Sequence, residues 1–459
     1  MNRINILFKK KRNRSISKED DCWQLGYYNR EPYRFLDYLS SGLLDACKDM
    51  ILRNNTLIVG PSGTGKTPLI GDILKQTTFS FCVIDFDKFL LSKLRNQLVN
   101  NGYRIKMLDL ENPLEGDFYN PLKYCKDEED AELLAKMIVN DYSLDSYYKD
   151  AAITLISIYI ELMTYIPQRL GISYTMMEEI MGENTIEPTL VNLNKLNSWA
   201  LEVDGNSLKN GFDKVIDRIV DFEAKRQNCN PKFAVVPTFV KKYYHYIRNV
   251  GQSSGEINKG VLLTIRSCLS FLNVESIKQF VSKENMNLSE FDYEKTALFI
   301  ELCPCDKTYN FLAEALLIQL NKVLRDKERI GGPLHISIIM DNFPHIGSPE
   351  IVEAIQTDDY KVSYVVVSQS IAQLAAISNC MVDKLDSKCK FLLWRYEHSL
   401  LSREDKEFLA NRTIRKKRTL RGSFRTRADS VTGNKARLSG GRKKFNVNFI
   451  VKTGGVLYN

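Results

Sequence analysis

The chain has 459 residues, 44% hydrophobic and 26% charged, enough length for two or three domains and an ordinary soluble composition. Its ten scattered cysteines and four histidines show no zinc-ligand spacing, which reads as reduced thiols in a cytosolic setting without structural zinc. No run reaches the roughly 18–20 uncharged apolar residues a membrane helix needs; the best, AAITLISIYIELMTYI, carries Glu161 and stops at Pro167.

Charge is uneven along the chain. Residues 412–444 hold thirteen Lys or Arg and one Asp, and residues 1–14 hold six basic residues. The remainder is near −10 although the whole is +8. Basic ends on an acidic body suit a nucleic acid or an anionic membrane surface, because Lys and Arg gain by displacing counterions from phosphates. A solvated tail is the plainer alternative.

In chain order, residues 15–50 turn from polar to amphipathic and predict a leading helix. NTLIVG (55–60) predicts a strand, and PLIGDILKQ after the next loop a helix. FSFCVIDF (79–86) predicts a strand, DKFLLSKLRNQLVNNG a helix closed by Gly102, and YRIKMLDL (103–110) a third strand. This alternation points to a parallel sheet covered on both faces. From about 127 to 290 helical periodicity dominates. Strands return at TALFIELCP (296–304), HISIIMD, KVSYVVVSQS (361–370) and KCKFLLW (388–394), with helices after the first and near 349–356, and NVNFIVK adds a possible edge strand. The fold expected is α/β, with boundaries at 1–53 (basic arm and leading helix), 54–126 (sheet, first part), 127–290 (all-α), 291–411 (sheet, second part) and 412–459 (basic segment).

The loop GPSGTGKT, spanning Gly60, Pro61, Ser62, Gly63, Thr64, Gly65, Lys66 and Thr67, matches G-x-x-x-x-G-K-[ST] without substitution. Its glycines let backbone N–H groups turn toward phosphates, and the following helix presents its N-terminus to the same charge. Lys66 would reach the β and γ phosphates of ATP or GTP, and Thr67 would ligate Mg²⁺. Pro68 falls in the first helical turn, where its missing N–H costs little. HISIIMD is the partner strand, ending at Asp341, which would hold Mg²⁺ through water.

Taken together, these segments resemble the VirD4/TraG family of coupling ATPases in type IV secretion and conjugation. VIDFDK keeps Asp85 and a displaced Lys88, and NPL (120–122), YYKDAAITLISIYI and KTALFIELCPCDKTYNFLAEALLIQL follow in the family's order. MDNFPHIG resembles the family's D-E-F-x-x-x-G, and QSIAQL its Q-S-x-x-Q-L. The resemblance covers roughly residues 54–400. It implies a RecA-like P-loop domain interrupted by an all-α, cargo-selecting domain. It also implies a homo-oligomeric ring that passes single-stranded DNA with its relaxase, or secreted proteins, to the type IV secretion channel, with ATP and Mg²⁺ as cofactors. Carried over by position, Lys66 and Thr67 bind nucleotide and metal, Asp341 supports Mg²⁺, and Gln369 senses the γ-phosphate.

Three departures stand out. The family's N-terminal pair of membrane helices is missing, so contact with the membrane from the cytoplasmic side would fall to the basic ends or another subunit. The stretch before QSIAQL has Lys361 where an arginine is frequent. Asn342 stands where the family has glutamate, and asparagine can orient a water but cannot accept its proton. Glu301, in a strand expected close to that of Asp341, is a candidate replacement base; an outward-facing strand-end residue is the alternative reading. Glu350 and Glu353 follow the motif on what reads as a solvated helix. Three readings remain: a motor with a relocated base, a slow ATPase used as a switch, and a non-hydrolysing adaptor that binds ATP for assembly. Another DNA-pumping P-loop ATPase is a further alternative, against which the long helical insertion counts.

Overall fold

The computed structural model describes residues 22–26, 51–86, 88–139, 145–170, 188–201, 210–251, 255–291, 293–302, 308–326, 335–356, 362–377, 380–393 and 447–452. Of residues 15–50, read as a leading helix, the described ones are Cys22–Gly26, and they form a strand instead, because they pair with a segment more than 400 residues later; Lys361, the basic arm at 1–14 and the basic segment at 412–444 lie outside the described residues. The chain divides into two units, one of residues 1–105, 290–301 and 327–459, the other of residues 106–289 and 302–326.

The first unit is built on a nine-stranded sheet. Its strands in chain order are β1 (Cys22–Gly26), β2 (Thr56–Val59), β3 (Ser80–Ile84), β4 (Arg104–Asp109), β5 (Thr296–Glu301), β6 (Ile336–Met340), β7 (Val362–Ser368), β8 (Lys390–Leu393) and β9 (Val447–Lys452). Their order in space is β1-β9-β8-β2-β7-β6-β3-β5-β4. From β8 to β5 the strands run parallel, while β9 is antiparallel to both of its neighbours, β8 and β1. Every residue of β2, β3, β5, β6 and β7 is buried. That is why these segments read as continuous apolar runs and not as alternating ones: helices cover both faces of a parallel sheet.

Helix α1 (Lys66–Leu74) follows the phosphate loop and buries Leu69, Ile70, Ile73 and Leu74. Helix α2 (Phe89–Asn100) buries Leu90, Leu91, Leu94 and Leu98 and ends as expected at Gly102, whose φ of 77° suits glycine.

In the second unit the described elements beyond β4 are helical: α3 (Glu128–Ile138), α4 (Ser146–Leu170), α5 (Val191–Leu201), α6 (Gly211–Gln227), α7 (Thr238–Tyr246) with a π-helical continuation at Ile247–Gly251, α8 (Gly255–Cys268), α9 (Glu275–Ser282) and α10 (Asn310–Asp326). The apolar run of α4 is explained by its place: α3, α5, α7 and α8 pack around it, and Ile156, Ile158, Tyr159, Ile160 and Leu162 are fully enclosed. No described helix is long and apolar enough to cross a membrane. The NPL motif is a turn, in which the Asn120 side chain accepts from Leu122 N at 3.1 Å and donates to Pro188 O at 2.8 Å.

Candidate nucleotide site

The phosphate loop leaves the C-terminal end of β2, the edge at which parallel sheets bind ligands. Gly60 N donates to Ser368 O at 3.1 Å, which ties the loop to the end of β7. Gly63 and Gly65 have φ of 74° and 82°, left-handed values that side chains disfavour; at Gly63 a Cβ would meet nothing, so the backbone angle alone calls for glycine. Thr64 Oγ1 braces the loop by donating to Pro61 O at 2.8 Å. Lys66 lies back over it, Nζ donating to the carbonyls of Gly60 at 2.6 Å and Pro61 at 2.8 Å. Burial lowers the Lys66 pKa, with the nearby Asp341 opposing.

Asp341 follows β6 directly and is 8% exposed. Thr67 Oγ1 donates to Asp341 Oδ2 at 2.5 Å, joining two residues 274 apart in sequence. A hydroxyl and a carboxylate oxygen side by side below a phosphate loop form a donor set that fits Mg²⁺.

Register places three carboxylates at one level. Ile84 pairs with both Ile300 and Met340, so Asp85, Glu301 and Asp341 each follow an aligned rung. Only one faces the loop's hydroxyl. Asp85, fully buried, accepts from Phe89 N at 3.1 Å and Leu91 N at 2.9 Å and so caps α2. Glu301 is not the outward-facing residue of the alternative reading: it is 5% exposed and pairs with Lys88 Nζ at 3.2 Å. Nor does its strand adjoin that of Asp341. β3 lies between β5 and β6, and two strand spacings amount to about 10 Å. Lys88 itself holds a left-handed φ of 54°.

Asn342 also lies in the left-handed region, at φ 63° and ψ 44°, where it starts the turn Phe343–His345. Asparagine tolerates this conformation better than most residues. Phe343 is fully buried, and a Cβ on Gly347 would stand 2.5 Å from its ring, which gives the terminal glycine of MDNFPHIG a steric reason. Glu353 is exposed and Glu350 half-buried on α11 (Pro349–Gln356).

Gln369 follows β7, the strand between β2 and β6, and so lies between the phosphate loop and Asp341 along the sheet edge. The second glutamine of QSIAQL has a separate task. Gln373 Oε1 accepts from Gln369 N at 3.3 Å, and Gln373 N donates to Ser370 Oγ at 3.2 Å, a cap at the start of α12 (Ile371–Ile377). Residue patterns alone did not mark Asp85 or Gln373 as caps, although an acid shortly before a helix start is the available signal for Asp85.

Residues 6–388 match the family model for type IV secretory system conjugative DNA transfer. The chain belongs to this family. Among solved structures it is similar to the bacterial conjugative coupling protein TrwB in an unbound form, 13% identical, with a TM-score of 0.50 over 80% of this chain and 73% of that one. TrwB in complex with ADP and Mg²⁺ matches at 12% identity and TM-score 0.48 over 75% and 70% of the two chains. VirB4 of Thermoanaerobacter pseudethanolicus matches at 13% identity and TM-score 0.41 over 78% and 80%. No curated protein sequence matches the chain. The fold is that of RecA-like P-loop NTPases, and the family role is coupling in type IV secretion.

Proposed function

We propose that the chain is an ATP-binding coupling protein acting at the cytoplasmic face of the membrane, which delivers single-stranded DNA with its relaxase, or a protein substrate, to the transfer channel. The observation that carries the nucleotide part is the 2.5 Å pairing of Thr67 with Asp341 below an intact phosphate loop. In this reading the loop from Gly60 to Thr67 cradles the phosphates, Lys66 swings from its carbonyls to the β and γ phosphates, and Thr67 and Asp341 hold Mg²⁺. Mg²⁺ held there would supply charge neutralisation on the transferring phosphoryl group. Gln369 senses the γ-phosphate. Copies form a ring, and the basic ends track DNA phosphates or touch the anionic membrane.

Turnover in this reading is slow. Asn342 has no carboxylate, Asp85 is committed to two amides, and Glu301 is ion-paired two strands away. The nucleotide then acts as a switch that sets the coupling protein's state. Steady-state ATPase with and without single-stranded DNA, on wild type, Lys66→Ala, Glu301→Gln and Asn342→Glu, tests this. Expected are nucleotide binding lost in Lys66→Ala, slow wild-type turnover unmoved by Glu301→Gln, and a gain in Asn342→Glu. Fast turnover abolished by Glu301→Gln would replace the switch with a motor that uses a displaced base. Failure of the wild type to bind ATP would remove the proposal.

A further inference from the structure

The helical unit segregates charge in a way the nucleotide site does not use. Residues 106–223 hold ten Lys or Arg against 23 acidic residues, whereas residues 224–283 hold ten against two. Within the second stretch neighbouring lysines differ in kind. Lys242 is held by Glu128 at 2.5 Å and Glu161 at 2.8 Å. Lys241, Tyr244, His245 and Arg248 recur at i, i+3, i+4 and i+7 and are all exposed. Neither Lys241 nor Arg248 is ion-paired among the described residues.

Packing fixes which way this stripe faces. Val240, Tyr243 and Tyr246, on the opposite side of α7, are buried, so α7 cannot rotate without exposing them. Tyr246 Oη donates to Asn258 Oδ1 at 2.9 Å, which pins the end of α7 to α8 and brings in the next residue, the exposed Lys259. Gly260 then admits the Tyr148 ring: a Cβ there would lie 2.8 Å from it. Tyr147, edge-on to Tyr148 at 5.9 Å, is 45% exposed, and Tyr244 is 46% exposed. On α7 the stripe sets the exposed Lys241 and Arg248 about the half-exposed Tyr244 ring, and the packed starts of α4 and α8 add the exposed Tyr147 and Lys259 together with three exposed acids, Asp145, Asp150 and Glu256.

A solvated basic face needs no aromatic rings. Cations that reach phosphates beside rings that stack on bases are the chemistry of single-stranded nucleic acid binding. We propose that this face, formed by the start of α4, the end of α7 with its π-helical continuation and the start of α8, is a single-stranded DNA contact site. The choice of DNA rests on the coupling-protein reading; the site rests on the surface itself.

Anisotropy of a labelled oligothymidylate with the full chain, titrated with salt, tests it. The double variant Lys241→Glu/Arg248→Glu is expected to bind at least tenfold more weakly. Its slope of log K against log salt should be shallower by about 1.4, two phosphate contacts at about 0.7 each. Tyr244→Ala should weaken binding about tenfold at unchanged slope, and Tyr244→Phe should bind like wild type. ATP affinity and melting temperature should stay at wild-type values, since the substituted side chains are exposed. Wild type that fails to bind the oligonucleotide would overturn both this site and the DNA part of the proposed function. Wild type that binds, with variants that match it in affinity and slope, would overturn this site alone. Displacement by polyglutamate of matched charge, with Tyr244→Ala neutral, would make the face an acidic-peptide site and overturn it too.

Discussion

Asn342→Glu separates a backbone effect from a chemical one. The residue sits at φ 63° and ψ 44°, where an ordinary L-residue pays about 1–2 kcal/mol. Asparagine recovers part of that cost, since it is several-fold enriched in this region, and a fivefold enrichment corresponds to about 1 kcal/mol. Glutamate should therefore destabilise the fold by about 1 kcal/mol, a fall in Tm of about 2–4 °C for a unit of this size. Asn342→Gly should be near neutral, because relief of strain is offset by a more flexible unfolded chain. Scanning calorimetry on the two variants and wild type measures this, and ATP turnover on the same samples measures the chemistry. A carboxylate able to take the water's proton should raise turnover by about 100-fold or more despite the lower stability. The backbone reasoning fails if the glutamate variant melts with wild type, or if the glycine variant melts below it.

Asp85→Ala should cost about 2 kcal/mol by removing two charge-assisted bonds, with the amides of Phe89 and Leu91 losing protection from hydrogen exchange; unchanged exchange would show that Asp85 does not cap α2. Gly347→Ala should cost about 1–3 kcal/mol through collision with the Phe343 ring, and adding Phe343→Leu should recover part of the loss in urea melts. Gln373→Ala should cost about 0.5–1 kcal/mol by thermal melting, the size of a lost cap. In the helical unit, Lys322 Nζ lies 2.7 Å from Asp127 and from Asp130. Burial works to raise the Asp127 pKa, but the Lys322 hydrogen bond and the Asp130 amide outweigh it and hold the carboxyl below its usual 3.8. The unfolded chain then binds more protons on acidification, so this stabilisation is present above pH 3.8 and fades as pH falls through the depressed value. Lys322→Met should be less stable than wild type at neutral pH by about 1 kcal/mol, and the gap should narrow as pH falls from 3.8 through the depressed value; a gap that persists in stronger acid would place the loss in packing.

Much of the fold was legible because its determinants are local. Continuous apolar runs bounded by turn residues gave β2, β3 and β5 to β7, since a strand buried on both faces leaves no alternation. Gly102 as a helix stop, and the glycines of the phosphate loop, follow from φ values that few other residues adopt. Strand β1 was not visible, because a short segment whose partner among the described residues, β9, lies more than 400 residues later carries little pattern of its own. The site was legible as separate pieces. Loop and acid were each recognisable, but that Thr67 bonds Asp341 depends on β7 alone separating β2 from β6.

The sequence by itself determined the family and the chemical groups available: a phosphate loop, an acid ending a buried strand, and asparagine in place of glutamate. Tertiary structure decided how each group is used. Three carboxylates end aligned strands, and composition cannot tell them apart. Asp85 turns to two helix amides, Glu301 to Lys88, and only Asp341 to Thr67. The reason is lateral order in the sheet, which non-local backbone pairing sets and which local residue patterns do not encode.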